Sequence, residues 1–311
     1  MAVMLAFCCL GFAAANDFVF KLFARKERSR GIFVFAVGML FTGVLSVYFA
    51  KDDWFGESAG TTLLWGVICG LCSVIGNIFL IESMSRLSAG LCSTVYRLNL
   101  ALVVPFAVVF FDETLFWYQW IGVALALAAV LAFMPVGEKH IVGRKSDYVM
   151  VVLAMALRAG MGISYKYAFL HGASESGIQV INGWAWVFCG LAYYLMRERR
   201  RFELRTAFDV KVLGYGALSG LLVAGIIFFM ARSLKLGSAS IVLPIQQMSF
   251  LATFFLSVIF LREKITIRKI AALVCGAAAL LLLSVKPAPA AADNSAARTE
   301  AAAEALSAAE K

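Results

Sequence analysis

Residues 61–83 read TTLLWGVICGLCSVIGNIFLIES, and Glu82 is the one charged side chain among them. A continuous helix of this length covers the roughly 30 Å hydrocarbon core of a bilayer, at about 1.5 Å of rise per residue. Working outward, segments of the same kind fill most of the chain. Spans are read at 2–23, 31–50, 61–83, 89–111, 115–135, 147–170, 177–196, 210–232, 239–261 and 265–285. In lipid every backbone amide needs an internal partner, so only helices and closed barrels cross, and apolar runs this long are helical. The expected fold class is all-α and integral to the membrane, with ten transmembrane helices joined by short connections.

Composition points the same way. Hydrophobic residues make up 62% of the chain and charged ones 15%, with a mean hydropathy of +0.87. Soluble domains run near 45–50% and about 25%. The net charge of +9 comes from short loops between apolar runs, which fits membrane topology and no nucleic-acid partner. The seven cysteines all lie in apolar runs and their number is odd, which speaks against a disulfide framework. Cys69 and Cys72 have the spacing of a metal or redox pair, but no second pair or nearby histidine completes a site. They read as packing residues, and neither a metal nor a cofactor is expected.

The ends differ from the middle. The first span contains Ala13-Ala14-Ala15, as a cleaved leader would. It lacks a basic start, however, and Phe18-Val19-Phe20 continues the apolar run, so it is expected to remain as a helix. The tail from 286 to 311 is low in complexity: PAPAAADNSAAR is expected to be disordered, while TEAAAEALSAAE could form a marginal helix in water.

The two halves resemble each other. At an offset of about 150, Gly66, Gly70 and Leu71 fall on Gly216, Gly220 and Leu221. Phe79, Ser83, Ser88, Ala89, Phe110 and Glu113 fall on Phe229, Ser233, Ser238, Ala239, Phe260 and Glu263. At a slightly different offset, Lys21 parallels Lys166. Residues 1–136 and 147–285 are thus read as two five-helix repeats. Five is odd, so the second copy enters the membrane inverted. Inverted repeats place a substrate site near the midplane and allow alternating access, which makes a transporter the expected function.

The stretches 81–130, IESMSRLSAGLCSTVYRLNLALVVPFAVVFFDETLFWYQWIGVALALAAV, and 231–283, ARSLKLGSASIVLPIQQMSFLATFFLSVIFLREKITIRKIAALVCGAAALLLL, carry a family likeness. Each has a Ser-Ala step, a helix with proline, a closing glutamate and a small-residue helix. The sequence resembles the drug/metabolite transporter superfamily, specifically the EamA-type permeases. It departs from the pattern at Pro105 and Pro244, which differ in depth, and at Asp112 and Arg262, where a glycine is usual. The resemblance implies ten helices, secondary transport of small metabolites, and a central cavity lined by spans one, three, four, six, eight and nine.

Charge sets the orientation. The odd-numbered loops, at what is called here the odd face, hold Arg25, Lys26, Arg28, Arg30, Arg86, Lys139, Arg144, Lys145, Arg197, Arg199, Arg200, Arg201, Arg205, Lys211, Arg262, Lys264, Arg268 and Lys269. The even face holds little beyond Lys51, Lys235 and Arg232. Odd loops in the cytoplasm, both termini outside and a plasma-membrane location follow as expectations.

A charge at mid-bilayer costs about 2.5–3.5 kcal/mol on insertion scales, so such residues face a cavity or a partner. Arg97, with Tyr96, Gln246 and Gln247 at the same level, forms a donor set suited to a carboxylate or phosphate. Pairing of Arg97 with an acid that only fixes packing is the alternative. Arg158 is a second candidate, with Glu82 or Asp17 as its structural partner otherwise. Asn77, Asn99, Asn182 and Trp184 complete the candidate cavity, with Lys21 and Lys166 either matched site residues or snorkelling to the interface. Asp17 is the proton-coupling candidate, or else pairs with Lys21 four residues on. Glu82 and Arg86 read as an interfacial pair. Glu113 and Glu263 read as turn or inter-repeat contacts.

Together these favour a secondary carrier, an exporter, of a small polar metabolite bearing an anionic group such as an amino acid, organic acid or sugar phosphate. A proton-coupled exporter of cationic or lipophilic drugs is the alternative. No ATP-binding GxxxxGK loop occurs, and no catalytic residues are expected, since the histidines, His140 and His171, sit in or beside loops. The small-residue faces Ala124–Ala132 and Ala271–Ala279 suit tight packing within the fold or a homodimer contact.

Overall fold

The computed structural model describes residues 1–24, 26–56, 58–84, 86–87, 89–132, 144–261 and 266–285. The first three spans are α1 (Ala2–Ala24), α2 (Arg30–Tyr48) and α3 (Ala59–Met84). The fourth is split into α4 (Ala89–Arg97) and α5 (Leu100–Phe110), and the fifth is α6 (Trp117–Ala132). The second repeat starts with α7 (Lys145–Leu170) and α8 (Glu175–Tyr193), which runs into a π-turn at Tyr194–Glu198. After the short α9 (Leu204–Ala207) comes α10 (Val210–Leu236). The ninth span is again split, into α11 (Ala239–Gln247) and α12 (Ser249–Leu261), and α13 (Ile267–Ser284) closes the fold. Among the described residues nine spans have the length and apolarity to cross a bilayer. The tenth, α6, has 16 residues and leads into the undescribed 133–143.

The fourth and ninth spans correct the reading of unbroken helices over 89–111 and 239–261. The breaks do not fall at the prolines, which lie inside α5 and α11. They fall at Leu98–Asn99 and at Met248, about one repeat offset apart. At each break the backbone tightens to a three-residue bond: Ala101 N–H donates to Leu98 O at 2.9 Å, and Leu251 N–H to Met248 O at 3.0 Å. Side chains offset the loss. The Asn99 amide donates to Tyr96 O at 2.9 Å, and Arg97 reaches across to Gln247 O.

The repeats meet along α2 and α8, where backbone touches backbone. Gly31 and Gly38 on α2 face Tyr194 and the Trp186–Val187 step, while Gly183 and Gly190 face Thr42 and the Val34–Phe35 step. Small residues allow such approach, and in lipid close van der Waals packing is what holds helices together. The small faces of α6 and α13 pack on each other within the fold, with Gly122 against Leu282 and Leu283. Cys72 on α3 lies opposite Gly160 and all seven cysteines are free.

Charges gather at the odd face. Glu82 accepts from Arg30 at 3.1 Å, Arg86 at 3.0 Å and the Tyr193 hydroxyl at 2.7 Å, and Arg86 also reaches Asp147 at 2.8 Å. The expected Glu82–Arg86 pair is thus one edge of a network joining α2, α3, α7 and α8. Glu198, in the π-turn, receives the Ser29 hydroxyl at 2.7 Å and the Arg30 and Gly31 amides, each at 3.0 Å. A carboxylate at a helix N-terminus meets both unpaired amides and the positive end of the dipole. Glu198→Gln keeps the shape and removes the charge. It should lower stability by about 1–2 kcal/mol, read as a fall in Tm of the detergent-solubilised protein, while Glu203→Gln, exposed in the same loop, should leave Tm unchanged.

Candidate functional site

The two broken spans diverge across the membrane. On the even face their halves α5 and α11 pack directly together, and α11 is buried along nearly its whole length. On the odd face α4 and α12 make no comparable contact among the described residues, nor do α4 and α1. The two broken spans are thus joined directly on the even-face side of their breaks and less closely on the odd-face side.

Arg97 links the two breaks. Its Nη1 donates to Gln247 O at 2.8 Å and to Ser249 Oγ at 3.0 Å, and its Nη2 to the Asp17 carboxylate. The guanidinium carbon lies 5.4 Å from the Phe250 ring centre. Ser249 and Thr253 also donate to Asp17, at 3.3 and 3.5 Å. Arg97 is only 8% exposed, whereas the Asp17 side chain keeps 35% of its surface open. Asp17 thus pairs with Arg97. The side chain of Lys21, its other expected partner, lies outside the described residues, as does Glu263.

Arg158, at mid-depth on α7, is different. It is half-buried, with Nη1 3.8 Å from Met161 Sδ and its guanidinium carbon 6.0 Å from the Tyr96 ring centre. No carboxylate among the described residues lies within ion-pair distance of it. Asp17 and Glu82, the partners expected from sequence, face Arg97 and the odd-face network instead. The result is a guanidinium beside a tyrosine with no charge partner among the described residues.

The other candidates are placed as follows. The Asn77 amide donates to Ser73 O, one turn back on its own helix. Asn182 donates to the Tyr165 hydroxyl at 2.7 Å, leaving its buried carbonyl oxygen unpartnered. Gln246 donates to Ser233 Oγ at 3.1 Å, and Gln247 contributes its backbone carbonyl to Arg97. Trp184 is 44% exposed and stacks on Phe188, which is itself exposed. Lys166 lies at the even face, donating to Gly237 O at 2.7 Å and Leu234 O at 3.2 Å, with Glu113 at 4.0 Å. Glu113 accepts from the amides of Ala239 and Ser240, at 2.7 and 2.8 Å, and from Ser240 Oγ at 2.6 Å. It caps α11 from the other repeat.

Sequence reading missed Ser249 and Thr253. The repeat offset could have found Ser249, since it falls on Asn99, the residue at the other break.

Ten helices in two five-helix repeats, parted at the fourth and ninth spans around buried polar side chains, define a multi-pass membrane transporter. The chain belongs to the EamA-like transporter family, whose model matches residues 1–134 and 145–285. No curated protein matches it. A solved structure described as "Crystal structure of protein" superimposes with a TM-score of 0.74 over 91% of this chain and 96% of its own, at 10% identity, a likeness of fold.

Proposed function

We propose that the chain is a secondary carrier, working as an exporter in the plasma membrane, for a small polar metabolite with an anionic group. The observation that carries this reading is Arg158, a half-buried guanidinium at mid-depth with no carboxylate in reach among the described residues. A buried cation without a counter-ion is unfavourable, and a substrate carboxylate or phosphate relieves that by accepting its forked donors. Tyr96, beside it, is a further donor. The basic loops cluster at the odd face, which places that face in the cytoplasm and both termini outside by the charge rule.

The test is thermal stabilisation of the purified protein by metabolites sorted by charge, repeated with Arg158→Gln. A ligand at 100 times its Kd stabilises by about 2.7 kcal/mol. Anionic or zwitterionic compounds should raise the Tm of the wild type and lose that effect on Arg158→Gln. Stabilisation by cationic or lipophilic compounds alone, equal in both proteins, would transfer the site to Asp17 and favour the drug-export reading. That second reading draws support from the part-exposed Asp17 carboxylate.

A further inference from the structure

We propose that Arg97 is a positioning residue rather than a substrate ligand: its guanidinium is a tethered cation that fastens α4 to α1 and to the break of the ninth span. The inference rests on the carrier reading and assigns a different task to its second arginine. Three features support it.

The break at Met248 frees the carbonyl of Gln247, because Leu251 N–H turns to Met248 O instead. An unsatisfied carbonyl at this depth is unfavourable by several kcal/mol, and Arg97 Nη1 supplies its donor. In transporters built from broken helices, unwound carbonyls of this kind commonly hold a coupling cation. Here the cation arrives on a side chain.

The charge is already balanced. Nη2 meets Asp17 on α1, and Ser249 sits between the two, accepting from Arg97 and donating to Asp17. Both Nη1 donors and one Nη2 donor are taken up, and the buried Nε has no partner among the described residues. The carboxylate of Asp17 meets the charge here, whereas at Arg158 no carboxylate among the described residues does so.

Geometry gives the contact leverage. While α1 packs against both α11 and α12, α4 packs closely on neither α1 nor α12, so the Arg97 side chain is what ties α4 to them at this level. One group ties α4, α1 and the α11–α12 joint together, at the place where rocking of one repeat against the other would bend the ninth span.

The experiment uses the full chain in detergent, with Arg97→Ala and the free guanidinium ion as the probe, at concentrations well below those that denature. Arg97→Ala should melt several degrees below the wild type. Guanidinium chloride should recover most of that loss, while sodium chloride at equal ionic strength should not. Recovery should disappear in the double variant Arg97→Ala/Asp17→Ala, which lacks the carboxylate wall of the vacated site, and the wild type should show no recovery to make. A wild-type Tm for Arg97→Ala, or a loss that guanidinium does not repair, overturns the tether. If the alanine variant does not fold, Arg97→Lys takes its place. Lysine keeps the charge beside Asp17 but not the fork across Gln247 and Ser249, so an intermediate Tm is expected and a wild-type Tm would overturn the proposal. The carrier reading fails separately, in the metabolite series with Arg158→Gln, so either idea can fall while the other stands.

Discussion

Glu113→Ala should cost about 3–5 kcal/mol, the largest loss expected from any single side chain of this protein. The carboxylate is buried and closes three donors on α11, the Ala239 and Ser240 amides and the Ser240 hydroxyl. Removing it leaves those donors unmet where water is scarce. It also takes away the anion 4.0 Å from the Lys166 ammonium, whose side chain is only 13% exposed. Lysine and glutamate act as a clamp on one turn: the ammonium binds the carbonyl end of α10, and the carboxylate binds the amide end of α11. Each charge sits at the helix end whose dipole it complements. Glu113→Gln retains one acceptor oxygen and should lose roughly half as much. Tm in detergent reads both, and an alanine variant as stable as the wild type would show that the clamp holds nothing.

The second large effect belongs to Gly38→Ala. A β-carbon at Gly38 would stand 2.6 Å from Val187 N and 2.8 Å from the carbonyl carbon of Trp186. Those are backbone atoms of α8 and cannot rotate aside, so one methyl group must push two helices apart. The expected cost is about 3 kcal/mol or more, above the usual range for overpacking, because no rotamer relieves it. Gly43 on the same helix has nothing within 4 Å of such a carbon. Gly43→Ala should be neutral or stabilise by up to about 1 kcal/mol through helix propensity. Equal Tm values for the two alanine variants would contradict the crossing described for α2 and α8.

How much of this was legible beforehand differs by kind. The spans were, because lipid demands length and apolarity from each helix by itself, and residues 61–83 satisfy that demand without reference to any neighbour. The inverted plan was legible too, through the offset that aligns Gly66 with Gly216 and Glu113 with Glu263. Glu113 had been read as a turn or inter-repeat contact, and it makes one. Trp184 shows the limit: near Asn182 in sequence, it turns outward onto Phe188 while Asn182 turns inward to Tyr165. Positions two apart on a helix point about 200° apart, so these two could not share a face, and only the neighbouring helices decide which of them turns inward.

The breaks in the fourth and ninth spans illustrate the same divide. Pro105 and Pro244 drew attention, yet the helices part elsewhere, since a proline in a membrane helix is tolerated when its freed carbonyl finds another partner. The division of labour between the two arginines was equally hidden. Arg97 and Arg158 look alike in sequence, each a lone cation in an apolar run. They differ because Asp17 on α1 lies against one, while no carboxylate among the described residues lies against the other. By itself the sequence determined ten helices, their inverted repetition and the candidate polar side chains, since those follow from local apolarity and a fixed offset. Only the tertiary structure decided which charges are satisfied, because a counter-ion is supplied by a distant segment and exists only once the helices have packed.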